Sequence, residues 1–170
     1  HLRGVMGPDE YHPLVDDDAF TNVMARWNLR RGAALLDELG DGHETAAAWR
    51  EIADALVDGW DVDRGTHEQF RGYWDLEPLV ADIAPRPYAA DMLLGPERVA
   101  GSQLIKQPDV LMLHHMVPDE LPPDSLGAAL ATYEPRTTHG SSLSPGVVAG
   151  LLARAGRPDD ALEPFDVAAR

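Results

Sequence analysis

Apolar residues recur at helical spacing along most of this chain, and this rhythm limits the folds open to it. The clearest case is the segment from about Glu44 to Asp61, whose apolar positions follow an i, i+3, i+4, i+7 pattern: Trp49, Ile52, Ala53, Leu56, Val57 and Trp60. Segments with the period-two alternation of strands are few. The pattern predicts an all-α fold in which only the connections hold short β pieces.

Further helices are predicted on both sides of this segment. A first helix begins near Asp18 and ends at Gly40 and Gly42, with one apolar face made of Phe20, Val23, Met24, Trp27, Ala34 and Leu35. Residues 62–87 are interrupted by glycine and proline and predict a long irregular connection. Later helices are predicted from Pro108 and Asp109 to about Val117, from Ser125 to Tyr133, from Ser144 to Ala155 and from Asp160 to Ala169.

A loop rich in small and hydroxyl residues, Thr138-His139-Gly140-Ser141-Ser142-Leu143, precedes one of these helices. Ser144 is a favourable N-cap, Pro145 suits the first helical position, and Gly156 is placed to end the helix. The free N–H groups and the dipole at a helix N-terminus favour an anion of phosphate size, with the serine hydroxyls and His139 as further donors. If the loop stood alone, a capped helix after a surface turn would be the favoured explanation. Residues 138–142 are called the anion loop below.

Composition and charge exclude several classes of partner. The chain has 170 residues, no cysteine and a formal net charge of −15. This charge argues against binding to nucleic acid and to anionic membranes, because both need clustered Lys and Arg. We find no signal peptide and no long apolar run, and the lack of cysteine agrees with a reducing compartment, so a cytoplasmic protein is expected. A helix N-terminus can still bind phosphate within an acidic protein.

Two clusters that resemble metal sites have simpler explanations. His114 and His115 are adjacent in sequence, so they point to different sides of a helix, and no His or acid at a suitable spacing completes a site. The run Asp16-Asp17-Asp18 stands where a helix begins, and N-capping accounts for it. No metal site is therefore predicted.

Four motifs together resemble glycoside hydrolase family 65, the inverting disaccharide phosphorylases of the maltose, trehalose and kojibiose phosphorylase type. They are Gly7-Pro8-Asp9-Glu10-Tyr11-His12, the segment from Val15 to Asn22, Lys106-Gln107-Pro108-Asp109-Val110-Leu111, and the segment from Tyr133 to Ser144. Asp17, Asp18, Phe20 and Pro108 depart from the usual family residues. The resemblance implies that residues 1–170 are the C-terminal half of an (α/α)6 barrel (a six-hairpin toroid), with the motif loops gathered at one rim. The chain opens inside a motif at His1, which suggests a truncated or excised sequence.

The resemblance also implies roles for individual residues. Glu10 would be the general acid that protonates the leaving oxygen, and it would need a partly desolvated site beside Pro8, Tyr11 and Val15 to stay protonated. Asp9 would be a scaffold or a partner of a sugar hydroxyl. His12 would orient Glu10 or only fill space.

Substrate binding is implied for the remaining motifs. Lys106 and Gln107 would bind hydroxyls of the glucose, and Thr138, His139, Gly140, Ser141 and Ser142 would hold inorganic phosphate, with Gly140 allowing close approach of the backbone. Because phosphate is itself a charged nucleophile, no second carboxylate is needed. The expected reaction is phosphorolysis of an α-linked glucose disaccharide with phosphate as co-substrate and no cofactor, in a full-length homo-oligomer.

Two alternatives stay open. One is a disaccharide hydrolase of the same fold, similar to trehalase. The other is an inactive fragment that needs the rest of the barrel, because the family's sugar-contacting Trp-Asp pair and a later phosphate-contacting His fall outside this sequence.

Overall fold

The structure is a computed structural model that describes residues 1–169. Within this range the α-helices are α1 (Ala19–Leu39), α2 (His43–Ala55), α3 (Ala90–Leu94), α4 (Pro96–Ala100), α5 (Asp109–Met116), α6 (Leu126–Tyr133), α7 (Ser144–Arg154) and α8 (Leu162–Ala168). The strands β1 (Trp60–Asp61) and β2 (Thr66–His67) form an antiparallel pair in which Trp60 faces His67. Short 3₁₀ turns cover Tyr73–Asp75, Pro118–Glu120 and Glu134–Arg136. The predictions of an all-α class and of short β pieces in the connections are confirmed.

Helix α1 begins and ends where its sequence predicts. The Asp18 side chain accepts a hydrogen bond from the backbone N–H of Thr21 at 2.6 Å, and Gly40 closes the helix in the left-handed conformation with φ of 68°. On the predicted apolar face, Phe20 and Met24 pack against the core, whereas Trp27 is 37% exposed. The N-capping role predicted for the acidic run is confirmed at Asp18.

Helix α2 is shorter than predicted. It ends at Ala55 instead of continuing to Asp61, because the Val57 carbonyl accepts a hydrogen bond from the Asn22 side chain on α1 at 2.5 Å. Trp60 then enters the strand pair. A side chain on a neighbouring helix therefore ends α2, although the apolar spacing continues for another turn.

The start of α8 and two whole helices differ from the sequence prediction. Helix α8 begins at Leu162, after a turn in which the N–H of Leu162 donates to the Asp159 carbonyl at 3.3 Å. Helices α3 and α4 were not predicted. Each has five residues, which is too short for a periodic pattern, and Gly95 separates them with φ of 84°.

The longer helices pack as consecutive pairs. Helix α1 packs against α2, α5 against α6, and α7 against α8, while α5 also contacts both α1 and α7. Helices α1, α5 and α7 therefore form an inner set, and α2, α6 and α8 form an outer set. The main core lies among them and includes Val23, Tyr73, Leu111, Leu113, Leu130, Tyr133 and Leu151.

The segments that precede the three inner helices meet at one end of the fold. Ile105, ahead of α5, pairs with Thr137, ahead of α7, in a parallel β-bridge. The N–H of Asp9, ahead of α1, donates to the side chain of Asp109 at the start of α5, at 2.8 Å. The motif loops are therefore neighbours in space. No helix among residues 1–169 is long and apolar enough to span a bilayer.

Candidate active site

Residues from three motifs form one continuous network at this end of the fold. The N–H of Thr138 donates to the Ile105 carbonyl at 2.9 Å, and the N–H of Lys106 donates to the Asp9 carboxylate at 2.9 Å. The Tyr11 hydroxyl lies 3.5 Å from the Thr138 hydroxyl. The structure thus brings together motifs that are separated by about a hundred residues in sequence.

Asp9 is the buried centre of this network. It is 2% exposed, and its carboxylate accepts hydrogen bonds from the N–H groups of Tyr11 and Lys106 and from the Gln69 amide. The His12 ring lies 2.6 Å from the same carboxylate through Nδ1. With its oxygens engaged in this way, Asp9 acts as a scaffold. His12 contacts Asp9 and the Ser102 carbonyl, so it does not orient Glu10 directly.

Glu10 lies next to this scaffold but points outward. Its side chain is 51% exposed and pairs with the ammonium of Lys106. The hydrogen bond from Lys106, followed by one from Gln107, holds the pKa of Glu10 below its ordinary value. In this chain Glu10 therefore does not lie in the partly desolvated site that was expected for an acid, and this expectation is wrong. The expected apolar neighbours are engaged elsewhere, since Tyr11 is buried toward Thr138 and Val15 pairs with Val5.

Lys106 and Gln107 both face Glu10. The side chain of Lys106 is 27% exposed and meets the Glu10 carboxylate, and this contact raises the pKa of Lys106. Gln107 is buried, and its side-chain oxygen accepts from the N–H of Glu10 at 3.2 Å. The predicted acid and the predicted sugar-binding pair thus form a single cluster.

The anion loop lines a cavity of about 450 Å³ at the start of α7. His139, Gly140, Ser141 and Ser142 contribute to its wall, together with Pro145 of the helix. Thr138 does not line it, because this residue is buried and its hydroxyl donates to the Ile105 carbonyl at 3.3 Å. Tyr88 and Ala89 complete one side. Sequence reasoning missed these two residues, since they belong to an irregular segment with no motif.

His139 is buried against the helix that follows. Its backbone has φ of 54°, and its Nδ1 lies 3.0 Å from the hydroxyl of Ser144. Its Nε2 has no hydrogen-bond partner among the described residues. Burial, and then the positive charge of Arg86, lower the pKa of His139 to about 4, so its ring is neutral at pH 7.

The predicted N-cap at Ser144 is wrong. Ser144 is the first residue of α7 and its hydroxyl contacts His139, while the N-cap position is held by Leu143, whose side chain cannot accept a hydrogen bond. The first N–H groups of α7 are consequently left without a side-chain acceptor. This leaves them available to an anion in the adjoining cavity.

Residue 140 must be a glycine because the backbone of a neighbouring segment lies where a side chain would be. A Cβ at this position would come within 2.8 Å of the Tyr88 carbonyl oxygen. Tyr88 therefore occupies the space that a side chain at residue 140 would need, and the close approach of the Gly140 backbone to phosphate stays a prediction. Of the two serines, Ser141 accepts a hydrogen bond from the N–H of Leu143 at 3.2 Å, and Ser142 is exposed beside the cavity.

Within residues 1–169, no group of three or more His, Asp or Glu side chains is arranged to hold a metal ion. His114 is buried and His115 is exposed, as expected for neighbours on opposite sides of a helix. Gln69 and Asp109, which hold Asp9, were not predicted as part of the site. Asp109 stands inside a quoted motif, whereas Gln69 has no signal in the sequence.

The fold defines the chain as a fragment of an (α/α)6 barrel whose motif loops meet at one rim. Residues 1–170 match the model of the glycosyl hydrolase family 65 central catalytic domain, and the chain belongs to this family. A kojibiose phosphorylase of Caldanaerobacter subterraneus subsp. tengcongensis is 30% identical, over 96% of this chain and 24% of the relative.

Two further relatives extend this comparison. A 1,2-alpha-glucosylglycerol phosphorylase of Bacillus selenitireducens is 32% identical, over 95% of this chain and 23% of that protein. A solved structure, provisionally named a kojibiose phosphorylase from the human microbiome, superposes with a TM-score of 0.82 at 28% identity, over 96% of this chain and 24% of that one. The chain thus spans about a quarter of the length of these relatives.

Proposed function

We propose that this chain is the part of a glycoside phosphorylase that carries the acid and the phosphate-binding loop. The observation that supports this most is the contact between two motif segments. The Tyr11 hydroxyl, one residue after Glu10, packs against Thr138, which begins the anion loop. This contact would hold the proposed proton donor and the cavity at the start of α7 in a fixed relation, as phosphorolysis requires.

Glu10 would protonate the leaving oxygen of an α-linked glucose disaccharide of the maltose, trehalose or kojibiose type. In the chain as described, the Lys106 ammonium keeps Glu10 ionised. A sugar hydroxyl that accepted a hydrogen bond from Lys106 would weaken this pairing, and burial by the bound sugar would raise the pKa of Glu10. In this proposal, binding of the substrate prepares the acid.

Phosphate would occupy the cavity at the start of α7 as co-substrate. Donors that could meet its oxygens are the uncapped N–H groups of α7, the hydroxyls of Ser141 and Ser142, and Nε2 of His139 when Ser144 donates to Nδ1. Attack of a phosphate oxygen on the anomeric carbon forms the new C–O bond as the glycosidic bond breaks. The products are β-glucose 1-phosphate and the released sugar, and no second carboxylate is needed.

A phosphate-dependent screen on the complete barrel tests this proposal. Maltose, trehalose, kojibiose and nigerose are each incubated with and without inorganic phosphate, and glucose 1-phosphate is measured. Release of glucose 1-phosphate only with phosphate is the expected result. Release of free glucose as the only product, at a rate that does not depend on phosphate, would assign the protein to the hydrolase alternative.

The 170-residue chain by itself should release no glucose 1-phosphate. It exposes large apolar side chains on α1, α2 and α8, among them Leu39, Ile52 and Phe165, and such surfaces favour self-association. Light scattering and the same screen test both points. A monodisperse monomer with phosphorolytic activity would show that the remaining barrel is dispensable.

A further inference from the structure

Three buried carboxyl groups lie beneath the loop that carries Glu10. Asp9 belongs to the loop, Asp18 caps α1, and Asp109 is the first residue of α5. They are 2%, 0% and 1% exposed, respectively. Buried carboxylates are unfavourable unless their charge is compensated. Each of the three groups therefore needs either a partner of opposite charge or a proton.

Asp9 is compensated by His12. Nε2 of the His12 ring lies 3.0 Å from the Ser102 carbonyl, which can only accept, so Nε2 carries a hydrogen. Nδ1 lies 2.6 Å from the Asp9 carboxylate, and one proton must occupy that contact whichever of the two groups holds it. Asp9 and His12 together are therefore neutral.

Asp18 and Asp109 have no comparable partner. One oxygen of Asp18 accepts from the N–H of Thr21 at 2.6 Å, and one oxygen of Asp109 accepts from the N–H of Asp9 at 2.8 Å. The other two oxygens both face Gly7, where a Cβ would come within 2.8 Å of Asp18 Oδ2 and 2.2 Å of Asp109 Oδ2. Asp18 Oδ2 has no donor among the described residues. Two carboxyl groups held in this way repel each other when both are ionised, so a proton on the pair is favoured.

The other titratable groups around Asp109 do not compensate the negative charges of Asp18 and Asp109. They are Asp9 on the loop, Tyr73 in the turn at residues 73–75 and Tyr133 on α6. Burial raises the pKa of both tyrosines, so they stay uncharged. Burial, and then the charges of Asp18 and Asp9, raise the pKa of Asp109 well above its ordinary value.

We propose that Asp18 and Asp109 share one proton, and that this carboxyl pair positions the loop carrying Glu10. The shared proton allows the starts of α1 and α5 to meet under Gly7. Asp109 then holds the N–H of Asp9, while Gln107 of the same segment holds the N–H of Glu10. Removing the proton would place two negative charges at this contact and displace the loop. The assignment of the proton stands on its own, and only the catalytic consequence rests on the proposed function.

Two substitutions at Asp109 separate positioning from simple loss of packing. Asp109→Asn imitates the protonated acid, since its amide can donate to Asp18 while its oxygen still accepts from Asp9. Asp109→Ala removes both contacts. In the complete barrel, Asp109→Asn should retain kcat, and Asp109→Ala should lose kcat by about 10²-fold with a smaller change in the KM for phosphate. Asp159→Asn, at an exposed acid, is the matched control. Equal losses in the Asn and Ala variants would overturn the proposal.

Infrared difference spectroscopy on the complete barrel tests for the shared proton without any assay of activity. At neutral pH, Asp109→Asn should lose one C=O band of a protonated carboxyl group that the unmodified protein and Glu10→Gln both show. Identical carboxyl bands in the unmodified protein and in Asp109→Asn would show that the pair holds no proton. A complete barrel that shows the band but no phosphorolysis would contradict the proposed function and would support the shared proton.

Discussion

The ammonium of Lys106 pairs with the carboxylate of Glu10, although the two residues are 96 positions apart in sequence. The same segment supplies the Gln107 oxygen that accepts from the N–H of Glu10. The acid is therefore held at its backbone and its side chain by the residues proposed to bind sugar. In the proposed function, binding of sugar and protonation of the acid would be coupled at this contact.

Replacing Glu10 by Gln should lower kcat of the complete barrel by about 10²- to 10⁴-fold, the usual contribution of a positioned proton donor. Gln keeps the size of the side chain, so the KM values for sugar and phosphate should change much less. Steady-state kinetics with both substrates measure the changes in kcat and in the two KM values separately. Glu51→Gln, at an exposed position on α2, is the control. Turnover close to that of the unmodified enzyme would remove Glu10 from the mechanism.

Replacing both Ser141 and Ser142 by Ala should raise the KM for phosphate steeply, because a hydrogen bond to a charged group contributes about 1.5 to 3 kcal/mol. The KM for the disaccharide should change less, since neither serine belongs to the Glu10 cluster. Initial rates over a range of phosphate concentrations test this, with Thr45→Ala on the exposed surface of α2 as the control. An unchanged KM for phosphate would place the anion elsewhere.

Gly140→Ala should destabilise the protein by about 1 to 3 kcal/mol, because the added methyl group would come within 2.8 Å of the Tyr88 carbonyl oxygen. The matched control is Gly150→Ala on α7, where the methyl group meets nothing within 4 Å. In the interior of a helix this control should gain up to about 1 kcal/mol. Urea unfolding of the two variants gives the comparison, and equal stabilities would contradict the packing of Tyr88 on the anion loop.

The stability of the protein should depend on pH through Asp109. Its pKa is raised in the folded protein, so folding takes up a proton when the pH lies above the ordinary value of about 3.9 for Asp. The stability contributed by Asp109 is fully present below that value and is lost as the pH rises toward the folded pKa. Urea unfolding at several pH values should show the unmodified chain losing stability relative to Asp109→Asn as the pH rises. A constant difference between the two would argue against this linkage.

Most of the longer helices could be predicted because their signals are local. Asp18 and Gly40 delimit α1, and Gly156 follows α7, since caps and glycines act within a turn of the residue that bears them. Helix α2 was predicted too long because the residue that ends it, Asn22, lies on another helix. The role of Ser144 was predicted wrongly, since Ser144 is the first residue of α7 and its hydroxyl contacts the buried His139.

The sequence by itself determined the helical class, the family and the set of motif residues, because periodicity, capping residues and motif letters are all properties of short segments. The tertiary structure decided how those residues behave. It exposed Glu10 and paired it with Lys106, which lowers the pKa of Glu10. It buried Asp109 beside Asp18, which raises the pKa of Asp109. All four side chains belong to the motifs that resemble family 65, yet their charge states depend on solvent exposure and on the nearest opposite or like charge. Those neighbours come from segments about a hundred residues away, so only the folded chain sets them.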